Sequence, residues 1–385
     1  MNKGLIALAF GGLAIGMTEF TMMGILEVVA TDLQISIPKA GNFIALYALG
    51  VVAGAPILVL FSSKFPPKKV LLFLMLLFFV FNALFSIAPE YYTLLTARFL
   101  SGLPHGAFFG VGTVVAARLA KPGKAAQAIS IMFTGMTLAN LAGVPLGTYL
   151  GQEYSWRLTY GIISLLGLLT MLAIHFWLPD LKNESKPSAI FSQLDFFKTK
   201  VAWLLMAIIS IGTGGLFAWI SYISPMVTKV SGLTESQVPI IMILIGLGMF
   251  FGNLLGGKVS DTVSPTKAAI GSFSAMALIL VVVYFTAHSS TMAYVMAFIT
   301  GMIAFTIGPP LQMMLITAGK GSETLAAAAG QASFNLGNTF GAFFGGIPIT
   351  LGFAYNSPPL IGVGMATIGA LLAVVFLIKY SAKKA

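Results

Sequence analysis

Twelve long apolar runs, separated mostly by short polar turns, occupy almost all of this 385-residue chain. A bilayer crossing takes about 20 consecutive apolar residues in a helix. The runs fall at about 4–30, 40–62, 68–88, 91–118, 125–150, 156–178, 201–228, 237–257, 266–287, 291–317, 323–353 and 357–379. Hydrophobic residues make up 58% of the chain and charged residues only 8%, against about 25% charged in a soluble domain. So few charges cannot cover so large a core in water. Disorder is excluded as well, because it requires low hydrophobicity. The first run, from Gly4 to about Val29, exceeds the apolar region of a signal peptide, and no A-x-A site follows it. It reads as a retained first span.

The basic residues set an orientation. The formal net charge is +10, but the lysines and arginines lie in short loops and form no clustered groove of the kind that binds nucleic acid. Seventeen of the 21 fall on the side of the N-terminus, while Lys39, Arg157 and Lys229 fall opposite and Arg98 lies inside a run. The positive-inside rule then places both termini, and the polar connection 179–200, in the cytoplasm. The absence of cysteine removes disulfides, thiolate metal sites and cysteine nucleophiles.

The connection 179–200 divides the runs into two sets of six, and the sets repeat. LGVVAGAPILVLFSSKFPPKK (49–69) aligns with LGMFFGNLLGGKVSDTVSPTK (247–267), pairing Gly50 with Gly248, Gly54 with Gly252 and Lys69 with Lys267. GMTLANLAG (135–143) aligns with GQASFNLGN (330–338), pairing Asn140 with Asn335. The two offsets, 198 and 195, nearly agree. A duplicated six-span unit follows: an N-terminal bundle 1–178, the connection 179–200 and a C-terminal bundle 201–385. Parallel repeats of this kind describe the major facilitator fold, whose site lies at the midplane between the halves.

Several motifs carry a closer resemblance. RFLSGLPHGAFFGVG (98–112) resembles the fourth-span motif of the twelve-span drug:proton antiporters of the major facilitator superfamily, and the AraJ-like sugar-efflux group within them. MTLANLAGVPLG (136–147), QEYSWR (152–157), ALYALGVVAGAP (45–56) and FNLG (334–337) are similar to the same group. There are two departures. The acid usual in the loop after span 2 is replaced by Ser63, although Asp261 keeps it in the second half. Val144 separates Gly143 from Pro145, where the antiporter motif has glycine directly before proline. Gly143 and Pro145 still imply a kink.

Few ionisable residues sit within the runs, and each costs about 2.5–3.5 kcal/mol to insert at the centre of a span. Glu19 is the clearest. It lies eight residues inside Glu27, so about 12 Å deep, and Arg98 lies seven residues into span 4, about 10 Å deep. At matching depth the two are expected to face each other, as a proton-accepting carboxylate beside a cation or as a fixed ion pair locking spans 1 and 4. The family pattern implies a coupling role for Arg98. His105 follows it by seven residues on nearly the same helical face, either titrating near neutral pH or packed as a neutral hydrogen-bonding group. Glu27 and Asp32 read as solvated span ends. Asp261 at its span end reads as a gate or cap, with Lys258 or Arg118 as partners.

Substrate contacts are expected from polar and aromatic residues of both halves: Asn140, Gln312, Gln331 and Asn335, with Tyr47, Trp219 and Tyr222 as walls. The alternative for each is helix–helix hydrogen bonding or packing. No P-loop follows a strand, and no catalytic or metal-ligand motif occurs, so the chain is not read as an enzyme and no cofactor beyond the proton is expected. The resemblance implies an all-α integral membrane protein of the bacterial inner membrane, a monomer, that exports a small sugar-like or amphipathic drug-like solute in exchange for protons. Uptake by a symporter or facilitator, and a receptor that moves nothing, remain alternatives.

Overall fold

The computed structural model describes residues 2–62, 65–121, 125–181, 194–319 and 323–381. Helices account for all the regular structure among them. Among the described residues, ten stretches are long and apolar enough to cross a membrane; the fifth, Ala128–Trp177, is 50 residues long. It holds two crossings, because the chain turns extended at Ser155 (φ −168°, ψ 133°) before the helix Trp156–Trp177. The helix Glu323–Thr350 supplies span 11. The spans thus follow the order read from the apolar runs.

Local chemistry sets where each helix starts and bends. Span 1 begins at Lys3, where the side chain of Asn2 accepts from the amide of Gly4 at 2.9 Å, satisfying one of the free donors of a helix start. Ser264 and Ser289 cap spans 9 and 10 in the same way. Span 1 is broken at Ile25 (φ −111°, ψ 12°), which separates Lys3–Gly24 from the short helix Leu26–Asp32. Span 7 is broken at Tyr222 (φ −114°, ψ 20°), separating Lys200–Ile220 from Ile223–Lys229. In span 5 a π-helical turn, Ala139–Gly143, joins Ala125–Leu138 to Val144–Leu150. Pro145 has no N–H to continue the ladder, and the wider turn accommodates the missing bond. Gly143 closes that turn and Pro145 is the second residue of the helix that follows.

The repeat has a packing cause. A methyl group on Gly50 would run into the backbone carbonyl of Phe99, and one on Gly54 into that of Leu103. At the equivalent places, Gly248 lies against the carbonyl of Phe298 and Gly252 against that of Met302. Spans 2 and 4 cross backbone to backbone, and so do spans 8 and 10. Small residues permit this approach, which drives helix association where lipid supplies no hydrophobic gain. The two sets of six meet along two seams. Span 2 lies on span 11, where the Thr339 hydroxyl donates to the Ala45 carbonyl at 3.3 Å. Span 5 lies on span 8, where Gly246 abuts the backbone of Asn140.

Candidate functional site

Spans 1, 2, 3, 4 and 6 bring a polar cluster together inside the first half. Glu19, 2% exposed, comes from span 1, and Arg98, fully buried, from span 4. They lie within electrostatic range of each other, yet no ion pair joins them. Glu19 Oε1 and Arg98 Nη2 are both buried without a hydrogen-bond partner.

The arginine is held by other groups. Its Nη1 donates to the carbonyl and to the hydroxyl of Thr18, both at 3.2 Å, and its Nε donates to the carbonyl of Phe43 at 3.1 Å. The guanidinium lies over the ring of Tyr47 at 4.3 Å, with Tyr160 at 5.4 Å and Phe85 at 5.5 Å. Desolvated contacts of this kind strengthen cation–π attraction. Asn82 on span 3 completes the anchor. Its amide donates to the Phe78 carbonyl at 2.8 Å, and its oxygen accepts from the Thr18 hydroxyl at 2.6 Å. A buried guanidinium needs such acceptors, since desolvation is costly unless hydrogen bonds replace water. Glu19 and Arg98 are neighbours in this cluster, but Arg98 is tied to Thr18, the residue just before Glu19.

His105, 1% exposed, lies on the same helix as Arg98, and its Nδ1 is 3.1 Å from the Tyr47 hydroxyl. Tyr47 also lies within electrostatic range of Glu19. Tyr47 thereby links the histidine to the carboxylate region and packs under the guanidinium. This makes it part of the polar cluster, where the sequence suggested only a wall.

The other expected site residues are distributed over the second half and the seams. Asn140 is buried in the π-turn of span 5, with its backbone against Gly246. Asn335, 1% exposed, donates to the Gln331 carbonyl at 3.0 Å and leaves its own Oδ1 buried without a partner. Gln312 is exposed, with its side-chain oxygen near Gly330, one residue before Gln331. Trp219 is buried with its indole N–H unpartnered and lines a small cleft with Met226, Val283 and Met296. Tyr222 sits beside Gly41 and Gly346, and its hydroxyl donates to the Ala342 carbonyl at 2.7 Å. Of the gating candidates, Arg118 stands in the last turn of span 4, while the side chain of Asp261 lies outside the described residues. Ser63 lies outside them too.

Three features escaped the sequence reading. Asn82 is the only amide side chain in the apolar run 68–88, a signal that was available. Tyr160, buried with an unpartnered hydroxyl, gave no such sign. Glu27 is not a solvated end: Lys229 forms an ion pair with its Oε1, and the Thr228 hydroxyl donates to its Oε2 at 2.7 Å. Asp32 accepts from the Trp156 indole at 2.9 Å.

The family model of the Major Facilitator Superfamily matches residues 8–330. The putative transporter AraJ of Escherichia coli K12 is 44% identical over 356 residues, 92% of this chain and 90% of the relative. A probable sugar efflux transporter of Helicobacter acinonychis (strain Sheeba) is 30% identical over 347 residues, 88% of this chain and 86% of the relative. The crystal structure of a D-xylose–proton symporter superposes with a TM-score of 0.75, at 16% identity, over 98% of this chain and 97% of that one. With two six-span sets, glycine-packed crossings repeated between them and bacterial relatives named as transporters, the chain belongs to the Major Facilitator Superfamily and to the AraJ-like group of multi-pass membrane transporters within it.

Proposed function

We propose that the protein is a proton-coupled exporter of a small sugar-like or amphipathic solute, working by alternating access from the bacterial inner membrane with both termini in the cytoplasm. One observation carries the reading: Glu19 is buried and unpaired while the neighbouring arginine donates to Thr18 and Phe43 through Nη1 and Nε. A permanently paired carboxylate stabilises a bundle but has no vacancy for a proton. A buried unpaired one is costly when ionised, so it gains from taking up a proton. Intramembrane carboxylates of this sort mark proton relays.

In this reading Glu19 takes a proton from the outer side and releases it inward. Arg98 provides a fixed positive field, and Tyr47 with His105 forms the hydrogen-bonded flank. Substrate is bound by groups of both halves, Asn140, Gln312, Gln331 and Asn335 among them, with Trp219 and Tyr222 as apolar walls. Arg118 and Asp261 serve the cytoplasmic gate, and Gly143 and Pro145 the bending of span 5. The small number of buried charges favours an uncharged substrate, and the AraJ and sugar-efflux relatives favour sugars or their derivatives. The protein works as a monomer in the bilayer, and the proton is its one cofactor.

The test uses everted membrane vesicles, acidified inside, with a pH-quenched dye. Sugars and amphipathic drugs are added in turn to the wild type and to Glu19→Gln. A compound that releases protons from wild-type vesicles alone supports export by exchange and identifies the substrate class. Proton movement in the opposite sense means uptake. Binding without proton movement in any arm refutes proton coupling.

A further inference from the structure

Spans 1 and 7 hold equivalent places in the two halves, and they break at equivalent places. Tyr222 stands 197 positions after Ile25, close to the offsets of the sequence repeat, and the two have nearly the same backbone angles, (−114°, 20°) and (−111°, 12°). Beyond each break runs a helix of 7 residues, Leu26–Asp32 and Ile223–Lys229. Both lie at the membrane face opposite the termini. Ile25 alone joins the short helix to the long one in span 1, and Ser221 and Tyr222 do so in span 7; a few such element-terminal residues are the usual build of a hinge.

The two short helices are tied to each other. The Glu27 carboxylate is engaged at both oxygens, by Lys229 and by Thr228. Its side chain is 12% exposed, whereas that of Lys229 is 41% exposed. The ammonium also lies 5.9 Å from the ring of Tyr355, which precedes span 12. Beneath the tie, Tyr222 fills the space between Gly41 of span 2 and Gly346 of span 11.

The tie is built to be undone. The Thr228 hydroxyl lies 2.7 Å from Glu27 Oε2 and 3.0 Å from the carbonyl of Ser224 in its own helix. Its one proton can return to Ser224 when the helices part, so no donor is stranded. Lys229 already touches water, so solvent can take over its ammonium as the pair parts. A half-exposed pair suits an opening that recurs in every transport cycle.

We propose that Glu27 and the Thr228–Lys229 pair form a latch that holds the outer mouth of the transporter closed, and that the two short helices pivot at Ile25 and Tyr222 when it releases. The latch is independent of the direction of transport and of proton coupling.

The chain has no cysteine, so label pairs can be placed without removing any. Thr31→Cys and His288→Cys put spin labels on exposed residues of the same face, one in each half. Their distance distribution is measured by pulsed electron resonance on the full chain in lipid nanodiscs. Glu27→Gln and Lys229→Gln are each expected to raise the long-distance, open population by roughly five-fold, the upper end of what a water-touching ion pair contributes. The exchange Glu27→Lys with Lys229→Glu is expected to return it to the parent value, and a misfolded protein would not recover in that way. Unchanged distances in both single variants would overturn the latch. So would single variants that open while the charge exchange stays open.

Discussion

Arg98 donates to the carbonyl and hydroxyl of Thr18 and not to Glu19, the next residue along span 1. The arginine is thereby held within electrostatic range of the carboxylate while the carboxylate keeps a vacant oxygen. A direct pair would need one partner removed before a proton could bind. A near but separate cation supplies the same field without occupying the site.

Glu19→Gln keeps the size and removes the titration. Proton release on substrate addition is expected to disappear, while exchange of labelled for unlabelled substrate across proteoliposomes persists. If proton release survives in this variant, Glu19 is not the coupling residue.

Asn82→Ala removes the acceptor of the Thr18 hydroxyl and the donor to Phe78. Buried groups left without partners cost about 1–3 kcal/mol, so the detergent-solubilised variant should unfold at a lower temperature. Arg98 also loses the arrangement that separates it from Glu19. Proton release per substrate is expected to fall more than substrate exchange does, measured on the same vesicles. Equal losses of both would mean that Asn82 serves stability alone.

Tyr47→Phe takes away the hydroxyl that bonds His105 and keeps the ring under Arg98. Thermal stability should change by about 1 kcal/mol, the size of one net hydrogen bond. The larger effect is expected on the rate of proton-coupled exchange. Tyr47→Ala, which also removes the face under the guanidinium, should lose a further 1–2 kcal/mol or so of cation–π attraction. If the two variants have the same stability, the ring does not support Arg98.

Gly50→Val and Gly248→Val test the repeated crossings. A side chain at either place meets backbone, which cannot move aside as a flexible side chain can. Each is expected to abolish assembly of the folded protein in membranes, read by size-exclusion chromatography of the solubilised chain. Gly364→Val is the control, since nothing lies within 4 Å of a side chain added there. It should leave the elution profile unchanged.

Much of the fold was legible because the bilayer imposes simple one-dimensional rules. Apolar length gives the spans, and glycines at a constant offset give the duplication. Glu19 and Arg98 stood out as candidates because charge in an apolar run is expensive and rare. Asn82 could have been found by the same logic. Glu27 was misread because a carboxylate at a span end looks the same in sequence whether water or a lysine faces it.

The sequence by itself determined the spans, their order, the repeat and the few residues able to carry charge within the membrane, since each depends on a local stretch and its solvent. Only the tertiary structure decided the pairings: Arg98 with Thr18 and Asn82, Tyr47 with His105, Glu27 with Lys229. Glu27 and Thr228 are 201 residues apart. Nothing local in either helix selects the other. Their meeting depends on how two folded halves pack across a seam, which fixes distance and angle only after every span has found its neighbours.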